Sequence, residues 1–260
     1  MSDKTDREIL SDRYLTGVGI EIGAGLNPTC PANASEIVFV DKRDRHQLAE
    51  HLGADPGYDP LTLWRAWERY PDGVDFLAAH HVIEHCADPI RVLAKEWLPL
   101  VKPGGLLYLS LPSPKNCFEE LRFETPINHI LDDHYFSRGD LAYESKEHIY
   151  SFILQLTAAN PRHFWYADDT QKFAKQALLQ ALADRQDLHW HTYALEVAVQ
   201  TIEAAFYLAG MNLEWLHREE TDNELHLICR RTAGRPPLPE FLAAYRERLA
   251  QAARSITRPG

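Results

Sequence analysis

Residues 17–28, Gly-Val-Gly-Ile-Glu-Ile-Gly-Ala-Gly-Leu-Asn-Pro, constrain the fold more than any other stretch. Val18 to Ile22 is a short β-branched run that stops at a turn carrying Gly23, Ala24 and Gly25. Such a turn lets the backbone-hugging part of a ligand approach closely, because glycine has no Cβ in the way. Glu21, two residues before the first turn glycine, adds a carboxylate at the same place. A second strand, Ile37 to Val40, ends at Asp41, placed to hydrogen-bond both hydroxyls of a ribose. The arrangement predicts a nucleoside-containing cofactor lying across the carboxyl ends of a parallel sheet.

The pattern downstream extends that sheet. Residues 1–16 read as a polar lead-in with a short helix around Arg7 to Tyr14, and Lys42 to Leu52 as a helix or loop beneath the ribose end. Leu61 to Trp67 is apolar enough to cover a sheet face. Val74 to Ala79 is a nearly continuous apolar run fit for a buried parallel strand. After it Pro89 opens a helix in which Ile90, Leu93, Trp97, Leu98 and Val101 recur at helical spacing. Pro103-Gly104-Gly105 stops that helix, and Leu106 to Leu111 is another apolar strand. Strand alternating with helix is the signature of a doubly wound α/β sheet.

From 112 to 188 the alternation breaks. Helical patterns over Lys146 to Ala159 and Asp169 to Asp184 sit among loops dense in Asp, His and aromatics. A long insertion at the ligand-binding end of a sheet predicts a helical lid or acceptor-binding subdomain. The α/β pattern resumes over 189–231, with a helix from Tyr193 to Ala209. Strands over Asn212 to His217 and Glu224 to Arg230 follow, close enough to pair as an antiparallel hairpin. Residues 232–260 hold the rest of a proline-containing linker and an amphipathic helix, Glu240 to Ser255, with a solvated basic face.

The net charge of −11 argues against a nucleic-acid backbone or an anionic membrane as main partner. No apolar run reaches membrane-spanning length, and Met1 to Arg13 is too polar for a signal peptide. Cys30, Cys86, Cys117 and Cys229 show no paired spacing, so neither a disulfide framework nor a thiolate metal site is indicated, and the expected compartment is the cytosol.

Six of the 13 histidines fall between His129 and His191, which makes that region the place to look for acid–base chemistry. His129, His134, His189 and His191 are candidates for a base acting on an acceptor hydroxyl, with a divalent-metal site as the less favoured reading and a polar lid surface as the bland one. In an extended stretch His189 and His191 point the same way and Trp190 the other. His81-x-x-Glu84-His85 spells a zinc-peptidase signature, but that chemistry needs both histidines on one helix face, and here a buried strand precedes and Pro89 interrupts. Phe118, Phe123, Tyr135, Phe136, Phe164, Trp165 and Tyr166 can stack on a sugar, although a lid core uses aromatics the same way. Arg122, Arg138 and Arg162 can bind an acidic group or simply form surface ion pairs.

Taken together and in order, Gly19-Ile-Glu-Ile-Gly-Ala-Gly25, Val38-Phe-Val-Asp41, His81-Val-Ile-Glu-His85 with Asp88-Pro89, and Lys102-Pro-Gly-Gly105 resemble the motifs of class I S-adenosylmethionine-dependent methyltransferases. Thr125-Pro-Ile-Asn-His129 and His189 to Tyr193 resemble bacterial methyltransferases of the type 11 kind associated with polysaccharide and glycan biosynthesis. The resemblance implies a Rossmann-like, seven-stranded, mostly parallel sheet with an antiparallel final strand, the lid following its fifth strand. It implies that 17–111 forms the cofactor half of the domain. Glu21, Gly23, Ala24 and Gly25 would line the methionine end of S-adenosyl-L-methionine, Asp41 its ribose, and His81 would face the transferable methyl. Catalytic candidates are thus His81, His129, His189 and His191, with no metal ligand assigned. Asn27 replaces the third glycine of the family's longer motif, and of the candidate adenine contacts Asp55 and Asp59 neither matches a motif. The function implied is methyl transfer to a hydroxyl of a sugar or glycan intermediate, with a small-molecule methyltransferase as an alternative. A lipid or quinone methyltransferase, a dinucleotide oxidoreductase and a non-catalytic nucleoside-binding protein remain as alternatives; Asn27 and Pro28 stand where a dinucleotide fold wants its third glycine.

Overall fold

The computed structural model describes residues 4–116, 122–136 and 189–256. Among these the chain forms α1 (Asp6–Tyr14), β1 (Gly17–Ile22), β2 (Ala34–Val40), α2 (Arg45–Leu52), α3 (Leu63–Arg69) and β3 (Val74–His80). An irregular helix, α4, starts at Pro89–Arg91, passes through a π-helical turn, Val92–Trp97, and closes in a 3-10 turn, Leu98–Leu100. Then come β4 (Val101–Pro112), α5 (Ile127–Phe136), α6 (Leu195–Ala209), β5 (Asn212–Glu220), β6 (Glu224–Thr232) and α7 (Glu240–Ile256).

The strands make one six-stranded sheet in the order β2-β1-β3-β4-β6-β5. The first four run parallel, β6 runs antiparallel to β4, and β5 pairs antiparallel with β6. The expected antiparallel hairpin is therefore present, with β6 inserted between β4 and β5. Six strands are formed among the described residues where seven are expected; beyond β2 there is a single parallel bridge, Val40 to Leu61, held by Asp41 N–H to the Leu61 carbonyl and Leu61 N–H to the Phe39 carbonyl. The chain leaves that bridge at once because Thr62 caps α3, its side chain accepting from the Arg65 N–H. Ala66 of α3 is buried and Leu61 and Leu63 pack against the core, while Trp64 stays 67% exposed.

β3 is the spine of the sheet. Val74, Phe76, Leu77 and Ala78 are wholly buried, which agrees with a nearly continuous apolar run interrupted only by Asp75. Gly19 on β1 is required there: a Cβ would lie 2.0 Å from the Phe76 ring of the neighbouring strand. On one face Ile90, Leu93, Trp97 and Leu98 of α4 and Ile202, Ala205 and Phe206 of α6 join the core with Leu107 and Leu109. On the other, Leu10 and Leu15 from around α1 pack on Phe76, Tyr108 and Ile228.

Helix ends follow the sequence. Asp88 caps α4, accepting from the Arg91 N–H at 2.8 Å, with Pro89 in the first turn. Asp44 and Gln47 form a reciprocal cap on α2, and Gly53 and Gly210 close α2 and α6 in the left-handed conformation. The regular helix expected over Ile90 to Val101 is instead underwound and then overwound; Pro99, which lacks an N–H, falls in the closing turn, and Val101 already belongs to β4. A second departure matters more for function. No helix joins β1 to β2: residues 23–33 cross between the parallel strands as a loop. The helical patterns at Lys146 to Ala159 and Asp169 to Asp184, and with them the body of the expected lid, lie outside the described residues.

Candidate active site

The glycine turn, the end of β2 and the end of β3 meet at one edge of the sheet. Gly23 and Gly25 both have positive φ (68° and 60°), a conformation that side chains with a Cβ rarely adopt. The Gly23 N–H donates to the Val40 carbonyl at 2.9 Å, tying the turn to the end of β2. A Cβ on Gly23 would lie 2.7 Å from Val82, just past β3, so the turn also touches the third strand end. Gly25 faces open space, with nothing within 4 Å of where its Cβ would be. Asp41 stands at the end of β2, its Oδ1 accepting the Arg43 N–H at 2.8 Å and its side chain only 10% exposed.

Glu21 is placed differently from an open ligand carboxylate. It is 1% exposed, and its two oxygens accept from the Thr29 N–H (2.7 Å) and the Thr29 hydroxyl (3.0 Å). The carboxylate thus pins the 23–33 loop from within, doing what a helix would otherwise do there. Burial pushes its pKa up to about 7, the two Thr29 bonds opposing that rise only in part. Tyr58, which no motif marks, closes over the turn. Its hydroxyl donates to the Gly25 carbonyl at 3.0 Å and its ring lies 4.4 Å from that of Phe39. Asp55 and Asp59 turn outward to Arg45, Asp55 through a two-pronged pair at 2.9 and 2.8 Å.

His81 begins the turn after β3 with φ of 54°, the one described non-glycine residue in the left-handed region. For a residue with a Cβ that costs roughly 1–2 kcal/mol, and such strain collects at functional sites. Its partner explains why it is tolerated. Nε2 of His81 donates to Oε1 of Glu224 at 2.6 Å, and the same carboxylate pairs with Arg7 of α1. Burial alone would raise the Glu224 pKa, but the His81 and Arg7 contacts bring it down to about 2. Beneath this pair runs a buried polar layer. The Tyr108 hydroxyl and His226 Nδ1 lie 3.0 Å apart, and His80 Nδ1 is 2.9 Å from the Ser110 hydroxyl. Burial holds His80 and His226 below the ordinary histidine range, so both are neutral at pH 7.

The His81-x-x-Glu84-His85 stretch is not a helix; only Ile83–His85 form a 3-10 turn, so the histidines share no helical face and peptidase geometry is absent. Glu84 is completely buried and gathers with His85 and His189, the two imidazoles edge to face at 4.6 Å. His191, also completely buried, gathers instead with His129 and Asp133. The four histidine candidates therefore fall into two neighbourhoods: His81, bonded to Glu224 with its Nδ1 3.6 Å from Glu84, shares Glu84 with His189, while His191 lies with His129. His134 faces Asp88 at 3.1 Å. Arg122 is buried, donating to the His189 carbonyl at 3.2 Å, while Arg138, Arg162, Phe118, Phe164, Trp165 and Tyr166 lie outside the described residues.

A cavity of about 850 Å³ adjoins the edge, between α1, the 26–32 stretch and the turn into β6. Its lining includes Arg7, Asn27, Thr29, Glu224 and His226, so it shares Thr29 with the Glu21 pin and Glu224 with His81. Neither Asp41 nor His81 lines it. The residues that sequence reading missed, Glu224, Arg7 and Tyr58, carry no motif; what marks Glu224 is its place at the turn into an antiparallel last strand.

No protein-family model matches the chain, and no curated protein does. Among solved structures it is similar to an S-adenosylmethionine dependent methyltransferase from Mesorhizobium loti, at 14% identity over 83% of this chain and 92% of that one, with a TM-score of 0.42. An S-adenosylmethionine-dependent methyltransferase from Clostridium acetobutylicum shows 9% identity over 86% and 87%, with a TM-score of 0.42. A Rhodobacter sphaeroides protein bearing the provisional name Zn-dependent alcohol dehydrogenase shows 19% identity over 89% and 92%, with a TM-score of 0.46. These three similarities all lie below 20% identity and a TM-score of 0.5, and their names differ.

Proposed function

We propose that the protein is an S-adenosylmethionine-dependent methyltransferase whose acceptor is a hydroxyl of a sugar or glycan intermediate. The observation that carries the cofactor reading is the convergence of the Gly23–Gly25 turn, Asp41 and the strained His81 on one sheet edge. The residues fit the group. Gly25 presents open space that a Cβ would fill, and Asp41 is held rigid by Arg43. A carboxylate offers about four lone-pair positions, so what the Arg43 N–H leaves suffices for both ribose hydroxyls.

The loop at 23–33 favours a nucleoside over a dinucleotide. Pyrophosphate in dinucleotide folds sits on the N-terminus of the helix that follows the glycine turn. Here Asn27 closes the turn, its N–H donating to the Ala24 carbonyl at 3.2 Å, and no helix follows. S-adenosylmethionine carries no phosphate and needs none.

The cofactor supplies a methyl on a sulfonium that is already a good leaving group, so the protein's part is alignment, exclusion of water and, for a hydroxyl acceptor, removal of a proton. Glu224 fixes the His81 tautomer: with the Nε2 proton given to the carboxylate, Nδ1 is the atom that can accept one. Glu224 is a positioning residue in this scheme and His81 the base. The sugar assignment draws on the resemblance of 125–129 and 189–193 to glycan-associated enzymes.

The test is a calorimetric titration with S-adenosylhomocysteine, run beside Asp41→Ala. Micromolar binding that weakens at least about tenfold in the variant, roughly 1.4 kcal/mol, is the expected result. No heat with the wild type, or binding of NAD in its place, overturns the reading.

A further inference from the structure

We infer that His129, Asp133 and His191 form a binding site for a borderline divalent transition ion of the zinc type. The inference is independent of the methyl-transfer reading. Asp133 Oδ2 lies 3.0 Å from Nε2 of His191 and 3.5 Å from Nε2 of His129, and all three ligand atoms fall within 4.8 Å of one another. Bonds of about 2.0–2.1 Å in a tetrahedral zinc site set its ligand atoms roughly 3.3–3.4 Å apart, so the two short edges need little adjustment. Two imidazoles and one carboxylate suit zinc and its neighbours better than calcium or magnesium, which prefer all-oxygen shells.

The three side chains come from a frame braced on several sides. His129 and Asp133 are four residues apart on α5 and share a face of that helix. α7 braces α5: the Tyr245 hydroxyl donates to Asp132 at 2.5 Å, Arg246 donates to the Tyr135 hydroxyl at 3.2 Å, and Arg248 bonds Asn128. His191 arrives on an extended segment fixed by reciprocal bonds, Thr125 N–H to the Thr192 carbonyl at 2.8 Å and Thr192 N–H to the Thr125 hydroxyl at 3.0 Å. A third bond, Trp190 N–H to the Glu84 carbonyl at 2.7 Å, ties that segment to the turn after β3. The burial is graded. The side chain of His191 is fully buried, that of Asp133 is 18% exposed and that of His129 45%. Three protein ligands with one open flank leave a fourth position for water or another oxygen, as catalytic zinc sites do. Glu84, His85 and His189 form a neighbouring group of similar composition, whose ligand atoms also fall within 4.8 Å of one another and which therefore serves as the internal comparison.

The experiment uses the full-length chain stripped with a chelator and titrated with Zn²⁺ against a chromophoric competitor, with the bound metal counted by elemental analysis. His129→Gln, Asp133→Asn and His85→Gln are run alongside, His129 being exposed enough for its change to spare the fold. The expected result is about one Zn²⁺ per chain. Affinity then falls at least about tenfold in His129→Gln and Asp133→Asn and stays within about twofold in His85→Gln. Three outcomes overturn the inference: under a tenth of an equivalent bound by the wild type in excess Zn²⁺, affinity unchanged in both α5 variants, or loss in His85→Gln alone, which moves the ion to the Glu84 group.

Discussion

Glu21 offers a direct check on the physical account of the glycine turn. Its carboxyl is buried with only Thr29 to hold it, and its pKa rises from 4.5 to about 7. A carboxyl whose pKa is higher folded than unfolded favours the folded state fully below the unfolded value and loses that advantage as pH rises through the folded value. At about 1.36 kcal/mol per unit, ionising Glu21 works against the fold by roughly 3 kcal/mol above pH 7. Most of that, about 2–3 kcal/mol, develops between pH 5 and pH 8. Glu21→Gln removes the titration while keeping an oxygen for the Thr29 N–H. Urea unfolding followed by tryptophan fluorescence at pH 5 and pH 8 gives the stability of both proteins. The neutral histidines His80 and His226 tilt both curves alike and cancel in the difference. Wild type should therefore lose about 2–3 kcal/mol relative to the variant between the two pH values. Parallel curves, within about 0.5 kcal/mol, would refute the claim that this carboxylate is desolvated and held by Thr29 alone.

The other carboxylate of the site behaves in the opposite sense. Glu224, held at about 2 by His81 and Arg7, contributes stability that is present above pH 4.5 and vanishes as pH falls toward 2. Glu224→Gln should cost on the order of 2–4 kcal/mol at pH 7 and almost nothing near pH 2, as read by chemical denaturation. A pH-independent cost would mean that packing, not charge, is what Glu224 provides. Once an acceptor turns over, His81→Asn, a residue tolerant of positive φ, should lower kcat about 100-fold or more with S-adenosylhomocysteine affinity held within about threefold. Equal losses in both would make His81 a cofactor contact rather than the base.

The edge that carries the glycine turn was legible from sequence because everything in it is local. Gly23, Gly25 and Asp41 fall at the ends of two strands whose apolar runs show where they stop, and β3 declares itself by a nearly continuous apolar stretch. Glu224 was not legible, since it stands 143 residues from His81 and reaches it only because β6 reverses direction and brings its start to the edge where β3 ends. The loop at 23–33 escaped for a different reason. Doubly wound patterns lead one to expect a helix there, and the contact that replaces it, Glu21 to Thr29, depends on a buried carboxylate that composition never marks. The alternation rule for His189 and His191 could not say which partners each would find, and the two join different groups. Those partners, Glu84 and Asp133, are supplied by distant segments.

The insertion of β6 between β4 and β5 also sets an order for synthesis. β4 is complete by residue 112, yet its partner on that side begins only at residue 224. While the ribosome makes the intervening stretch, the Leu106 to Leu111 run has an edge without its strand, and β5 emerges before β6, its partner among the described residues. Bare apolar edges of this kind recruit other chains. Yield in the cell should therefore depend on how fast the ribosome clears residues 113–232, and slow codons there should favour inclusion bodies without altering the finished protein.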